Sequence, residues 1–207
     1  MKKYELTAEF IERWGKKLFR IKALISFGSV EAGELGGYVE KEDNLAQDGD
    51  AWVCGDAWVC GNARVYGNAR VYGNAWVYGD AWVYGNARVY GNARVYGNAE
   101  VCGNAEVCGN AEVCGDAEVC GDADYLLIGR IGSRFSFTTF FKNKDKGITV
   151  SCGCFLGTIA EFRAKVTDTH GNNKHAKIYN LAADMAELQI LGEEHFDKLN
   201  TNKSEPF

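Results

Sequence analysis

The side chains of this 207-residue chain that could do chemistry are three histidines, eight cysteines and one short run of cations and hydroxyls. His170, His175 and His195 all lie near the C-terminal end. A histidine titrates near neutral pH and can take a proton from a bound substrate. His170 and His175 are therefore the candidates for a catalytic base, against the plainer reading of two surface histidines flanking a helix start. Arg130, Ser133, Arg134, Thr138, Thr139 and Lys142 crowd guanidinium, ammonium and hydroxyl donors into a short stretch. That mix suits a phosphate or another small anion, such as a nucleotide; the competing reading is the solvated edge of a β-hairpin. Cys152 and Cys154 are two apart and share a strand face, a weak metal or redox signal. A metal site needs several convergent ligands, and the other six cysteines are spread along the chain. No metal is expected, and without an export signal the thiols read as reduced and inert in a cytosol.

The elements that must position these groups are dominated by a repeat. Gly49 to Cys120 is twelve uninterrupted copies of Gly-[Asn/Asp]-Ala-x-Val-[Cys/Tyr], and Gly121–Leu126 (GDADYL) is a decaying thirteenth. Six residues are too few for a helical repeat and fit the hexapeptide β-helix class. Ala and Val are two apart and share one face of a short strand. They are small enough for a narrow interior, whereas the Trp, Arg or Glu between them and the Cys or Tyr after them face outward. Gly-Asn and Gly-Asp supply turns, because both residue types tolerate positive φ.

Val-x-Gly-Asn-Ala-x resembles the left-handed β-helix hexapeptide of bacterial acyltransferases and γ-class carbonic anhydrases, in which three hexapeptides make one triangular coil. The resemblance implies that residues i and i+18 stack at ~4.8 Å, so that four coils span about 19 Å. Stacking by eighteen gives outer columns Trp52–Arg70–Arg88–Glu106–Asp124, Trp58–Trp76–Arg94–Glu112 and Arg64–Trp82–Glu100–Glu118. Tyrosines and cysteines form companion columns, in which only Cys102 and Cys120 are cysteines in direct succession. Most neighbours are favourable; Arg70–Arg88, Glu100–Glu118 and Glu106–Asp124 are not. In the turn columns no two aspartates are neighbours, as in Asn62–Asp80–Asn98–Asp116, although a twelve-residue coil would pass the same test. Trp58, Trp76, Tyr78 and Tyr96 would share a flat aromatic face, with Trp82 as a further exposed ring. Such a patch marks an interface, and the resemblance implies a homo-oligomer, with a trimer favoured.

The enzymes of that class supply further expectations. Their acyl transfer implies acetyl-CoA as cofactor and a histidine on the solenoid, and their zinc anhydrases need three. These repeats contain no histidine, so the anhydrase reading falls and acyl transfer is left to His170 or His175 across a subunit interface. Ice binding would need outward ranks of threonine, which are missing from the repeat.

The flanks complete the reading. Residues 1–48 read as an N-terminal α+β cap: a helix capped by Thr7 carrying Phe10, Ile11 and Trp14, then a strand over Lys17–Ser26 with Phe19, Ile21, Ala23 and Ile25 on one face. Residues 49–126 form the β-helix. In residues 127–207, Phe135–Phe141 and Gly147–Phe155 flank Lys142–Lys146 as a β-hairpin. Thr158-Ile-Ala-Glu161 opens a helix with a capping box. A second helix over Lys174–Leu191 carries Ile178, Leu181, Ala182, Met185 and Leu188 as its apolar stripe, and the polar tail Asn200–Phe207 frays. GSVEAGELGGYVEKEDNLAQDGDAWV (residues 28–53) resembles the lead-in of the YdcK-like hexapeptide proteins, an uncharacterised bacterial family carrying a transferase label. IGSRFSFTTFF and ITVSCGCFLGTIAEF resemble a tail shared by small phage and prophage proteins. Net charge −5 and pI ≈ 5.3 argue against a nucleic-acid partner, and no apolar run reaches the ~18 residues of a membrane span. A DNA-mimic role for the acidic band from Glu100 to Asp124 is weakened by the neighbouring arginines. The expectation is a mainly β chain, a left-handed parallel β-helix with small α+β caps, acting as a non-catalytic oligomeric scaffold or binding protein of bacterial or prophage origin. Acyl transfer and anion binding are the alternatives.

Overall fold

The structure, a computed structural model, describes residues 1–194; His195 and the tail Asn200–Phe207 lie outside the described residues. The chain forms two compact units, Met1–Asp122 and a second from Ala123 onward.

In the first unit the hexapeptide behaves as its side-chain sizes dictate. Every Ala and Val of the twelve copies is fully buried, because only these small side chains fit a narrow interior lined from three sides. Each copy contributes one two-residue strand: β4 (Trp52–Val53), β5 (Trp58–Val59), β6 (Arg64–Val65), β7 (Arg70–Val71), β8 (Trp76–Val77), β9 (Trp82–Val83), β10 (Arg88–Val89), β11 (Arg94–Val95), β12 (Glu100–Val101), β13 (Glu106–Val107), β14 (Glu112–Val113) and β15 (Glu118–Val119). These pair in parallel as β4-β7-β10-β13, β5-β8-β11-β14 and β6-β9-β12-β15, a register of eighteen residues that excludes a twelve-residue coil. The Trp52 amide donates to the Ala69 carbonyl at 3.0 Å and the Cys54 amide to that of Val71 at 2.9 Å. The solenoid has about five turns, because the out-of-phase lead-in is itself a coil. Strand β3 (Leu35–Val39) pairs Val39 with Val59, Leu45 bridges to Val65, and both side chains enter the interior. Gly36-Gly37 allows this close approach, since a Cβ on Gly37 would meet the Ala57 carbonyl oxygen at 2.5 Å.

The helix expected from Thr7 is not formed. Strand β1 (Tyr4–Arg13) runs antiparallel to β2 (Lys16–Ala23), and β2 to β3. The two-residue loop Trp14-Gly15 has positive φ at both positions, the geometry that matches hairpin twist. Pairing onto the solenoid edge outweighs a helix that would face water on most sides. Strand β2 confirms the expected strand, but a bulge after Arg20 shifts its buried side to Leu18, Ile21 and Ala23. The hairpin covers one open sheet edge, and polar side chains of the cap satisfy the rest. Lys3 Nζ, buried, donates to the Asp48, Gly49 and Ala51 carbonyls. Asn44 donates to Gly61 and Ala63, and the Tyr4 hydroxyl to Leu45. At the far end the Asp122 carboxylate accepts from the Glu106 amide at 3.1 Å in place of a further coil.

The second unit is an antiparallel sheet of β16 (Tyr125–Ile131), β17 (Ser136–Lys142), β18 (Ile148–Cys152) and β19 (Phe155–Thr158), packed with α1 (Ile159–His170) and α2 (Lys174–Leu191). The expected hairpin is thus the centre of four strands. Thr158 and Glu161 form the capping box, and Asn173 caps α2 after the break at Gly171. The apolar stripe of α2 differs from the expected one. Ala176, Tyr179, Ala182, Ala183 and Ala186 are buried, while Leu181 (63%), Met185 (57%) and Leu188 (45%) are exposed. Alanines bring the helix backbone close to Phe140, Val150 and Phe162; the larger side chains are left on the outside.

Candidate functional site

The eighteen-residue register turns the outward side chains into ladders. Tyr66 stacks on Tyr84, Tyr72 on Tyr90 and Tyr78 on Tyr96, all with ring centroids 4.8–4.9 Å apart and planes within 4°. Asparagines at the turns donate one coil onward, as Asn68 to Asn86 to Asn104 and Asn62 to Asp80. The like-charged neighbours find other partners: Arg88 pairs with Glu106 one coil on at 3.0 Å, and Glu100 accepts from the Tyr84 hydroxyl at 3.0 Å.

The expected aromatic face is only partly free. Trp58 stacks on Trp76 at 4.9 Å, and the Arg94 guanidinium lies 4.4 Å from the Trp76 ring centre. From the hairpin turn, however, Trp14 packs edge-on against Trp58, Trp76 and Tyr78, leaving Trp58 only 2% exposed. Trp58 is therefore internal to the chain and Trp14, 62% exposed, is the outermost ring. Trp82 stands apart from Trp76, Tyr78 and Tyr96, in the sheet of β6, β9, β12 and β15.

Burial raises the Cys54 and Cys114 thiols, and pushes Cys60 up to about 11. Cys102 and Cys120 depart from the expectation of reduced thiols: eighteen residues apart, with Cα atoms at 4.3 Å, they form a disulfide.

On the Trp82 side the first unit holds a cleft of about 440 Å³ lined by Glu42, Asp43, Leu45, Ala46, Gln47, Arg64, Val65, Tyr66 and Trp82. The short 3-10 turn Glu42–Asn44 forms one rim, and the Tyr66 and Trp82 rings, edge to face at 6.4 Å, form the wall. Nothing in the sequence marked this cleft, because it depends on Asn44 folding inward to bond Gly61 and Ala63.

The anion-binding run is dispersed in the second unit. Thr138 and Thr139 are buried on opposite sides of β17; Thr138 donates to the Cys152 sulfur at 3.2 Å. Lys142 is paired with Asp124 at 3.0 Å. Arg130, Ser133 and Arg134 are exposed in β16 and the turn after it. The structure instead gathers groups that are distant in sequence. His170 stacks on Tyr179 at 5.8 Å with planes 28° apart and lies 5.8 Å from His175, whose buried Nδ1 has no partner among the described residues. Burial, then Cys152, raises the Tyr179 hydroxyl, and Arg134 opposes that shift. The link from Thr138 through Cys152 to Tyr179 was not legible from spacing, since it joins two strands and a helix. Among the described residues no group of three His, Cys, Asp or Glu side chains could hold a metal ion, and no helix is long and apolar enough to cross a membrane.

In comparison with known families, the model described as the YdcK beta solenoid repeat matches residues 57–70, 63–79, 69–85, 81–97 and 87–103. No curated protein matches the chain.

Proposed function

For this YdcK-like β-solenoid repeat protein, we propose a non-catalytic role as an oligomeric scaffold or binding protein, cytoplasmic and of bacterial or prophage origin. One observation carries the reading: the outward side chains of the repeat spend their polar and aromatic groups on one another along the ladder. A catalytic face needs groups that converge on a substrate rather than on the next coil. Ladders of this kind make a stiff rod, and the exposed Trp14 with Trp76, Tyr78 and Tyr96 gives that rod an aromatic surface for another copy, as a homotrimer, or for a partner protein.

Acyl transfer is the second reading, supported by the His170–His175–Tyr179 cluster and the unpartnered His175 Nδ1. It would use acetyl-CoA and residues of the second unit. Anion binding at Arg134 is the third, with Arg130 and Ser133 exposed in the same strand and turn and Lys142 paired with Asp124. A thermal-shift titration separates them. The scaffold role is expected to give no acetyl-CoA shift that depends on His170 or His175. Stabilisation by acetyl-CoA that disappears in His170→Ala or His175→Ala would overturn it, and stabilisation by a nucleotide that disappears in Arg134→Ala would transfer the function to the anion site.

A further inference from the structure

The three tyrosine stacks of the solenoid end differently at their N-terminal side. One coil step above Tyr72 stands Cys54, and one step above Tyr78 stands Cys60, in register through the Cys54-to-Val71 and Cys60-to-Val77 amide bonds. Cys60 is buried in the cluster against which Tyr78 packs. Above Tyr66 the position belongs to Ala46, held in register by its amide bond to the Val65 carbonyl at 2.9 Å. A methyl group replaces a sulfur or a ring, Asn44 beside it is folded inward, and the cleft of about 440 Å³ already described opens at this position. The Tyr66–Tyr84 stack, with rings 4.9 Å apart and 2° from parallel, therefore presents its terminal ring to an empty slot.

We propose that this slot is a binding site for a flat heteroaromatic ring bearing amino groups, of the nucleobase type, which adds a third layer to the Tyr66–Tyr84 stack. Stacking on tyrosine tolerates any base, because every base has a π-face. The lining supplies the remaining contacts by charge and position. Trp82, 43% exposed, closes one side as a wall edge-on to Tyr66. Asp43 on the rim accepts from exocyclic amino groups and has no ion-pair partner among the described residues, whereas Glu42 beside it is paired with Lys2 at 2.6 Å. Arg64, exposed on the opposite side, is placed for an acidic substituent on the ring. The site does not depend on the scaffold role, and it lies in the first unit, whereas Arg134 belongs to the second.

Isothermal titration of the full chain with adenosine, cytidine and adenosine monophosphate tests it. Saturable binding is expected, tighter for the monophosphate. Ala46→Tyr, which fills the slot with the missing ring, is expected to weaken binding at least tenfold while keeping or raising the melting temperature. Tyr66→Leu, which removes the platform, is expected to weaken it as much and stands in should Ala46→Tyr not fold. Arg64→Gln is expected to abolish the preference for the monophosphate, and Arg134→Ala to change nothing. No heat with any of the three compounds at millimolar concentration would overturn the proposal. So would affinities unchanged by Ala46→Tyr or Tyr66→Leu, or a loss of binding in Arg134→Ala.

Discussion

At the scale of single residues, the repeat is held by positions that accept only one kind of side chain. Gly85 has φ of 69°, and a Cβ there would lie 3.0 Å from the Gly103 amide nitrogen of the next coil; Gly115 has φ of 66° but open space around the same position. Gly115→Ala is expected to cost about 1–2 kcal/mol, the penalty of a left-handed conformation for an L residue. Gly85→Ala should cost measurably more in a chemical-unfolding experiment, because the coils must also part. Equal costs would mean that the turns are not in contact. Titration gives a second test. Burial pushes Cys60 to about 11 from 9.0, and burial with the Glu100 hydrogen bond pushes Tyr84 to about 12 from 10.0. Cys54, Cys114, Tyr66, Tyr72 and Tyr78 shift the same way. The folded chain then keeps protons that the unfolded chain releases, so this stability is whole below pH 9 and is lost as pH climbs through 11 and 12. Lys3, pushed down to about 8 by burial, works in the opposite sense between pH 8 and 10.5, but it is one group against several. The urea midpoint is expected to fall steadily above pH 10, and a midpoint unchanged at pH 11.5 would contradict the shifts. Residue-level legibility was uneven for a physical reason. Ala and Val could be placed inside by size alone, whereas in the cation-and-hydroxyl run strand alternation buries Thr138 and Thr139 on opposite sides, which sequence proximity ignores.

At the scale of elements, the cap and the second unit each hang on a contact between distant segments. Trp14 holds the β1–β2 hairpin against Trp58, Trp76 and Tyr78. With aromatic pairs contributing about 0.5–1.5 kcal/mol each, Trp14→Ala is expected to destabilise the first unit by about 2 kcal/mol and to red-shift tryptophan emission as Trp58 meets water. An unshifted spectrum would mean that the hairpin does not depend on this ring. In the second unit Arg163 on α1 pairs with Asp184 and Glu187 on α2, both at 2.7 Å, and the Glu187 carboxylate is only 8% exposed. Arg163→Met leaves that carboxylate buried without its cation and is expected to cost about 3 kcal/mol, read as earlier melting of the helical signal. The helices of this unit were legible from caps and spacing. The N-terminal hairpin was not, because residues 7–14 carry a helix-like spacing and a capping threonine, and only the solenoid edge makes a strand the better answer. The burial of Trp58 was hidden for the same reason, since its cover comes from forty-four residues earlier in the sequence.

At the scale of the whole molecule, the repeat states an architecture more clearly than an activity. Its eighteen-residue register was implied by the resemblance to hexapeptide β-helices, since the turn columns alone fitted a twelve-residue coil equally well, and it is fixed by the strand pairing; its role depends on what meets its outer faces, and no spacing rule reports that. The central claim is that the exposed Trp14 ring, with the half-buried rings of Trp76, Tyr78 and Tyr96, brings copies of the solenoid together. Light scattering of the purified chain across a range of concentrations tests this most directly. The scaffold reading predicts a particle of three times the 22.8 kDa chain mass, and a particle of one chain mass at every concentration would contradict it.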